Sequence, residues 1–298
     1  MSGGVSANQP IKQAQVNAFV EQQLDHYGKS IENILSADVM TIRGPIYYGL
    51  EESVRQAIES RLDKKCKLAI VLETDGGLIE VVERMVKVIR HHYAEVVMII
   101  PNMAMSAGTV FAMSGDSIMM DYFSCLGPID PQIRKNGRFV PALSYLVQYE
   151  RLREASNNGT LTTVDVALAQ QLDLAELHSF EEARDLSISL LKEWLTRYKF
   201  KNWIRTQDRN IEVTSEMREE RAEEIAKLLM DHQRWHSHGR PICMEILKRD
   251  LKLLIDDLEQ QPELNQKIQN YQTFLSDYMT KMGMDCVVHT NGIFLRVG

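Results

Sequence analysis

Residues 68–77 read LAIVLETDGG and residues 96–132 read VVMIIPNMAMSAGTVFAMSGDSIMMDYFSCLGPIDPQ, and these two stretches decide the fold. The first begins with a short run of leucine, isoleucine and valine that ends just before a pair of glycines, which is typical of a strand buried on both faces. The second begins with a similar run at 96–100, and Pro101 ends it. Two buried strands that each end in a turn predict a parallel sheet.

Between these runs, residues 78–91 carry apolar side chains at steps of three and four, which places them on one face of a helix. Strand, helix and strand in this order form a right-handed crossover unit. Ligands of open parallel sheets bind at the carboxyl ends of the strands, and both the Gly76-Gly77 pair and Ser106 follow such ends. We therefore expect the two turns to face each other.

Each turn offers a group that acyl-transfer chemistry uses. Gly76 and Gly77 adopt positive φ readily and let backbone N–H groups approach a ligand closely, and converging N–H groups form an oxyanion hole. Ser106 stands before Ala107 at the start of a predicted apolar helix. It has two interpretations: an N-cap of that helix, or a nucleophile whose neighbouring N–H, that of Ala107, joins the oxyanion hole.

Three motifs in a fixed order extend the second interpretation. TDGG at 74–77, MSAGT at 105–109 and LGPIDPQ at 126–132 resemble the Clp-fold and crotonase-fold serine peptidases. The closest likeness is to the SDH-type serine proteinase family, which is related to signal peptide peptidase A and to the Clp protease proteolytic subunit. The resemblance spans residues 36–135. It implies an α/β fold with a Clp/crotonase-like core, a polypeptide substrate, assembly into a homo-oligomer, Ser106 as the nucleophile, and an oxyanion region made by Gly76, Gly77 and Ala107.

The general base is where the chain departs from this pattern. The Clp subunit carries a histidine in an Ile-His-Gln-Pro-like stretch, whereas this chain reads IDPQ at 129–132. Signal peptide peptidase A instead uses a lysine some tens of residues after the serine, which implies Lys135 and a Ser–Lys dyad or a variant of it. A lysine acts as a base only where its pKa lies well below its free value, and the composition of RKNGR at 134–138 indicates an exposed turn. His238 is the second choice and His178 a further candidate, so the base stays unassigned.

Two other classes of function stay open. A crotonase-type enzyme would use the same oxyanion geometry on an acyl-CoA, with Glu73, Asp75 or Asp130 as its acid–base group. A non-catalytic scaffold or binding module is the third interpretation, and the missing histidine favours it. Turnover by a Ser106→Ala variant separates the peptidase from the acyl-CoA enzyme.

Composition narrows the class of protein further. A chain of 298 residues with 44% hydrophobic content suffices for a sizeable core, and a net charge of −7 argues against nucleic acid as a partner. We expect no membrane association and a cytoplasmic location, because no signal peptide opens the chain and no apolar run reaches the ~18 residues of a membrane helix. No residue pattern requires a metal, nucleotide or other cofactor. The cysteines lack metal-ligand spacing and look like reduced cytoplasmic thiols; they are Cys66, Cys125, Cys243 and Cys286.

The pattern of elements predicts three regions. Residues 1–35 form an N-terminal helical arm, residues 36–135 the Clp/crotonase-like catalytic core, and residues 136–298 a helical region with a C-terminal hairpin. Within the last region, residues 242–258 are expected as one amphipathic helix, and Asn291-Gly292 marks the turn of the hairpin. Helices followed by a hairpin also fit a winged-helix module, and the tail also fits pairing with a neighbouring subunit.

Overall fold

A computed structural model describes residues 9–130, 132–135, 138–206 and 210–297, of which residues 9–14, 132–135, 138–144 and 232 are described by their backbone only. The strands are β1 (Asp38–Arg43), β2 (Lys67–Glu73), β3 (Glu95–Ile100), β4 (Met103–Ala104), β5 (Ser117–Met120), β6 (Cys125–Leu126), β7 (Gln132–Lys135), β8 (Arg138–Pro141), β9 (Ile242–Cys243), β10 (Asp256–Asp257), β11 (Cys286–Thr290) and β12 (Ile293–Val297). The helices are α1 (Gln9–Leu35), α2 (Leu50–Glu59), α3 (Ile79–His92), α4 (Ala107–Ala112), α5 (Ala142–Asn157), α6 (Thr163–Ala169), α7 (Leu174–Trp194), α8 (Ser215–Met230), α9 (His232–Trp235), α10 (Met244–Arg249) and α11 (Pro262–Met282).

The main sheet has the strand order β10-β5-β3-β2-β1-β11-β12. From β10 to β1 the neighbouring strands run parallel, whereas β11 lies antiparallel to β1 and β12 antiparallel to β11. The strands β1, β2, β3 and β5 follow one another across the sheet in chain order, with α2, α3 and α4 in the connections. Their carboxyl ends therefore share one edge of the sheet, which confirms the predicted α/β class.

The main sheet is buried on both faces, as its apolar strands predict. On β2, Leu68, Ile70 and Leu72 pack in one core with residues of α2, α3 and α4. The alternate residues Ala69 and Val71 pack on the other face in a second core with α1 and α11. Because both faces are covered, these strands read as unbroken hydrophobic runs.

A small second sheet of order β4-β6-β9 lies beyond the carboxyl ends of the main strands. A parallel bridge between Thr74 and Ala104 connects it to the chain that leaves β2, and a bridge between Ile46 and Gly77 connects the ends of β1 and β2. β4 runs parallel to β6, and β6 runs antiparallel to β9. This layer gathers the turns that follow the main strands and joins them to a segment from late in the chain.

The tail forms the predicted hairpin, and the hairpin belongs to the main sheet of its own chain. β11 pairs with β12 along one edge and with β1 along its other edge, where Val288 lies opposite Ile42. α11 packs against α1 on the same face of the sheet. Within the described residues, no helix has both the length and the hydrophobicity needed to cross a membrane.

The prediction of one helix over residues 242–258 is wrong. β9 comes first, α10 ends at Arg249, and Lys252 has a φ of +50°. Beyond it, Leu253 and Ile255 are buried while Leu254 is 74% exposed, which is the alternation of an extended segment. This segment leads into β10, which pairs with the edge strand β5, so tertiary pairing overrides the local helical pattern.

Candidate active site

Ser106 occupies the turn between β4 and α4. Its backbone has φ +53° and ψ −120°, a region that costs a residue with a side chain on the order of 1–3 kcal/mol and is concentrated at functional sites. Although Ser106 stands at the N-cap position of α4, its side chain makes no capping hydrogen bond. The residue is partly exposed. The turn thus presents a serine hydroxyl that does not cap the helix, at the cost of a strained backbone.

The glycine turn after β2 packs directly against this serine. Gly76 and Gly77 have φ values of +103° and +147°. A Cβ atom on Gly76 would lie 2.8 Å from Ser106 Cβ and 2.7 Å from the Met105 carbonyl oxygen, and one on Gly77 would lie 1.9 Å from the Ile46 carbonyl oxygen. The expectation that the two turns face each other is confirmed, and only glycine fits at either position.

Two backbone donors are left free where the turns meet. The Gly76 N–H is engaged within its own turn, since it donates to Thr74 Oγ1 at 3.0 Å. By contrast, the N–H groups of Gly77 and Ala107 have no acceptor among the residues that the structure describes. One of these unengaged N–H groups follows Ser106 in the chain, and the other lies in the turn that packs against Ser106. Free N–H donors near a serine are what an oxyanion hole requires.

A buried threonine fixes the serine turn to the loop that follows β6. Thr109 lies on α4, and its Oγ1 is 2.8 Å from the Ala104 carbonyl oxygen and 2.9 Å from that of Gly127. Oγ1 also accepts a hydrogen bond from the Gly127 N–H at 2.9 Å. Gly127 in turn packs so closely on Met105 that a Cβ atom there would lie 3.2 Å from Met105 Cα. The loop after β6 is therefore held beside the residue that precedes Ser106.

The same loop carries an aspartate that binds a histidine from the far end of the chain. Asp130 Oδ1 lies 2.9 Å from His238 Nδ1. The Asp130 side chain is 2% exposed and that of His238 is 22% exposed. In the small sheet Cys125 lies opposite Cys243 and Leu126 opposite Ile242, so the segments that carry Asp130 and His238 leave this sheet from neighbouring strands.

Sequence reasoning named His238 but missed its partner. Asp130 was considered only as an acid–base group of an acyl-CoA enzyme, because its contact with His238 joins residues more than a hundred positions apart. The available signal was that Asp130 stands where the related Clp motif has its histidine.

The other base candidates lie in less informative surroundings. Lys135 ends β7 and lies in register opposite Arg138 of β8, but its side chain lies outside the described part of the chain. His178 on α7 is 70% exposed, and its acidic neighbours are Glu182 at 3.5 Å and Glu181 at 3.7 Å, both on the same helix. Ser106, Gly76, Gly77 and Ala107 are thus brought together, and His238 is connected to them through the loop after β6.

Two of the three carboxylates considered for acyl-CoA chemistry, Glu73 and Asp75, line a cavity that does not include Ser106. Glu73 forms an ion pair with Arg43 at 3.1 Å, and it accepts a hydrogen bond from Asn102 at 2.9 Å. Glu73 and Asp75 line a cavity of about 460 Å³ between the sheet edge and α11. Ser106 is not among the residues that line this cavity. Within the described residues, no cluster of His, Cys, Asp or Glu side chains is arranged to hold a metal ion.

Comparison with known proteins gives a consistent result. Residues 38–202, more than half of the chain, match the model of the family described as ClpP-like SDH-type serine proteinase. "Uncharacterized protein MJ1495" of Methanocaldococcus jannaschii is 38% identical over 98 residues, which are 33% of this chain and 32% of that protein. "Uncharacterized protein MJ0137" of the same organism is 30% identical over 207 residues, which are 69% of this chain and 58% of that protein. The chain therefore spans about a third of the length of MJ1495 and somewhat more than half of the length of MJ0137.

Two solved structures of substituted forms of the 1510-N membrane-bound stomatin-specific protease are also similar to the chain. The first aligns with 76% of this chain and 82% of its own, at a TM-score of 0.42 and 14% identity. The second, in complex with a substrate peptide, aligns with 41% of this chain and 59% of its own, at a TM-score of 0.32 and 23% identity.

Proposed function

Because the chain belongs to the ClpP-like SDH-type serine proteinase family, we propose that it hydrolyses peptide bonds with Ser106 as the nucleophile. The observation that carries this proposal is the meeting of the two turns. A strained serine that does not cap its helix lies against a glycine turn, and the N–H groups of Gly77 in that turn and of the adjacent Ala107 have no acceptor in the described chain. A purely structural serine would need neither the strain nor the free donors.

The reaction follows from these positions. Ser106 Oγ attacks the carbonyl carbon of the scissile peptide bond, and its proton passes to a base as the tetrahedral intermediate forms. The negative charge that develops on the substrate oxygen is stabilised by the Gly77 and Ala107 N–H groups. Each such donor contributes roughly 3 kcal/mol to the transition state. The base then returns the proton to the leaving amine, and water releases the acyl group from the serine.

We assign the base to His238, with Asp130 as the residue that positions it. Asp130 Oδ1 binds Nδ1 of the imidazole, which fixes the tautomer that leaves Nε2 as the proton acceptor and stabilises the imidazolium that forms. Gly127, three residues before Asp130, packs on Met105 beside the nucleophile. This support favours His238 over Lys135, which stays the alternative base. A polypeptide substrate and assembly into a homo-oligomer are part of the same proposal.

Covalent labelling tests the nucleophile. A fluorophosphonate probe should label the wild-type protein, and peptide mapping should locate the label on Ser106. Ser106→Ala should lose the label and reduce hydrolysis of a fluorescent casein by about 10³-fold or more. The matched control is Ser60→Ala, because Ser60 lies at the exposed end of α2 and its hydroxyl donates to the Gln56 carbonyl of the same helix. Full casein turnover by Ser106→Ala would exclude the mechanism, and retained acyl-CoA turnover by that variant would favour the crotonase-type reaction.

A further inference from the structure

Two cysteines face each other directly beside the proposed active site. Cys125 of β6 and Cys243 of β9 are register partners in an antiparallel pair. Both are free thiols and both are partly exposed. They lie more than a hundred residues apart in the chain, so only the small sheet brings them together.

The type of pairing suits a disulfide. The Cys125 N–H donates to the Asn102 carbonyl oxygen at 2.9 Å, on the side of β4. The N–H and C=O of one strand residue point to the same side, so the hydrogen bonds from β6 to β9 come from Leu126. Cys125 and Cys243 are therefore a non-hydrogen-bonded pair, in which the Cα atoms lie about 4.5 Å apart and the side chains share one face. Disulfides span Cα separations of about 4.4–6.8 Å.

We propose that Cys125 and Cys243 form a reversible disulfide when the protein meets a peroxide, and that this bond clamps β6 to β9. In balanced form, one thiolate attacks hydrogen peroxide to give a sulfenic acid and hydroxide, and the hydroxide takes up the proton that the thiol had released to form water. The second thiol then attacks the sulfenic sulfur, which forms the S–S bond and releases a second water. Two electrons pass from the two sulfurs to the peroxide, and a dithiol reductant reverses the reaction.

The surroundings set the rate of this reaction. Burial, with a smaller contribution from the neighbouring Cys243, raises the pKa of the Cys125 thiol. The thiolate is the reactive form, so oxidation is slow at neutral pH and faster under alkaline conditions. Of the other two cysteines, Cys66 is exposed and Cys286 is buried. Cys66 would therefore compete for the peroxide, and an experiment must remove it by substitution.

The bond would act on the segments that carry the proposed base. Asp130 follows Cys125 by five positions, and His238 precedes Cys243 by five, so β6 and β9 lie next in the chain to the loops that carry the Asp130–His238 contact. An S–S bond would hold this register when heat or denaturant loosens the short strands. This consequence for activity rests on the proposed function, whereas formation of the bond does not.

The experiment uses the full chain with Cys66→Ser as background. After hydrogen peroxide at pH 8.5, peptide mapping without reduction should find the Cys125 and Cys243 peptides joined, and dithiothreitol should release them. Phenylarsine oxide, which bridges two neighbouring thiols, should protect both from alkylation in the reduced protein. If Cys125 and Cys243 are each still alkylated separately after treatment with hydrogen peroxide, and also after treatment with phenylarsine oxide, the proposal is wrong.

Stability and activity give a second readout. The oxidised protein should melt higher than the reduced protein by roughly 5–10 °C, and Cys243→Ser should abolish that difference while leaving the reduced melting temperature nearly unchanged. Cys125→Ser serves as the second variant if one of the two folds poorly. Oxidation should also extend casein hydrolysis to higher temperature. A joined peptide pair and a raised melting temperature without any casein hydrolysis would uphold the disulfide and refute the peptidase. Casein hydrolysis without joined peptides and without a raised melting temperature would refute the disulfide alone.

Discussion

Replacing Gly76 by alanine tests whether the contact between the two turns supports catalysis. The new Cβ would lie 2.8 Å from Ser106 Cβ and 2.7 Å from the Met105 carbonyl oxygen. Ordinary van der Waals contacts of a Cβ atom begin near 3.4 Å. The turns must therefore separate by about 0.6 Å, and misplacement by about 1 Å in a site can lower a rate 10²-fold. We expect kcat/KM of Gly76→Ala to fall by roughly 30- to 100-fold.

Gly49→Ala is the matched control for this variant. Gly49 has a φ of +100°, almost equal to the +103° of Gly76, but nothing lies within 4 Å of a Cβ built on it. Both variants should lose about 1–2 kcal/mol of unfolding free energy from the positive φ. Gly76→Ala should lose a further 1–3 kcal/mol from the close contact, and it alone should lose activity.

The measurements are urea unfolding curves and casein hydrolysis on both variants at a temperature where both are folded. Both variants lose stability from the positive φ, but only Gly76→Ala displaces the serine turn. The ratio of kcat/KM of Gly76→Ala to that of Gly49→Ala therefore reports the effect of this displacement. If folded Gly76→Ala hydrolyses casein within a factor of two of Gly49→Ala, the packing of the turns is irrelevant to catalysis and the reasoning from this contact is wrong.

Four further substitutions probe the base and two charged side chains of the core region. Asp130→Asn should lower kcat/KM by about 10²- to 10⁴-fold with little loss of stability, whereas Lys135→Ala should stay within a few-fold of wild type; the opposite ranking would move the base to the lysine. Burial lowers the pKa of Lys199 to about 8 from an ordinary value of 10.5. Between these two pH values the unfolded chain binds more protons than the folded chain, so the free energy of unfolding should rise with pH from about 8 to 10.5. Lys199→Met should flatten that rise, as measured by the urea midpoints. Asp116 pairs with Arg90 at 2.8 Å, and both side chains are less than a tenth exposed. Burial alone would raise the pKa of Asp116, but the hydrogen bonds it accepts hold it below its ordinary value, so its stabilising contribution is present at neutral pH and is lost as the solution becomes acidic. Asp116→Asn should cost about 2–4 kcal/mol at pH 7, and its difference from wild type in urea unfolding should shrink below about pH 4.

The sheet and the glycine turn were readable from the sequence because local chemistry determines both. Leu68 to Leu72 form an unbroken apolar run, and only a strand covered on both faces explains such a run at that length. Gly76 and Gly77 stand after it, where positive φ and close approach exclude a side chain. The position of Ser106 opposite them then followed from the rule that parallel strands end at one edge.

The remainder depends on pairings between distant segments. Residues 251–255 alternate between buried and exposed only because β10 extends the sheet at β5, and the sequence pattern there also fits a helix. The contact between Asp130 and His238 joins two loops that follow and precede two-residue strands, and such strands are too short to leave a periodic signal. Spacing rules therefore could not bring Asp130 and His238 together, although both residues were named as candidates from the sequence.

The pairing of β1 with β11 has a consequence for how the protein is made. A nascent chain that leaves the ribosome cannot complete the hydrogen bonds of residues 40–43 until residues 287–290 have been synthesised. Until then β1 presents an open edge that other chains can join, and pairing over such a long separation is slow to form. Binding of a chaperone to this edge would protect the cell from aggregation during synthesis.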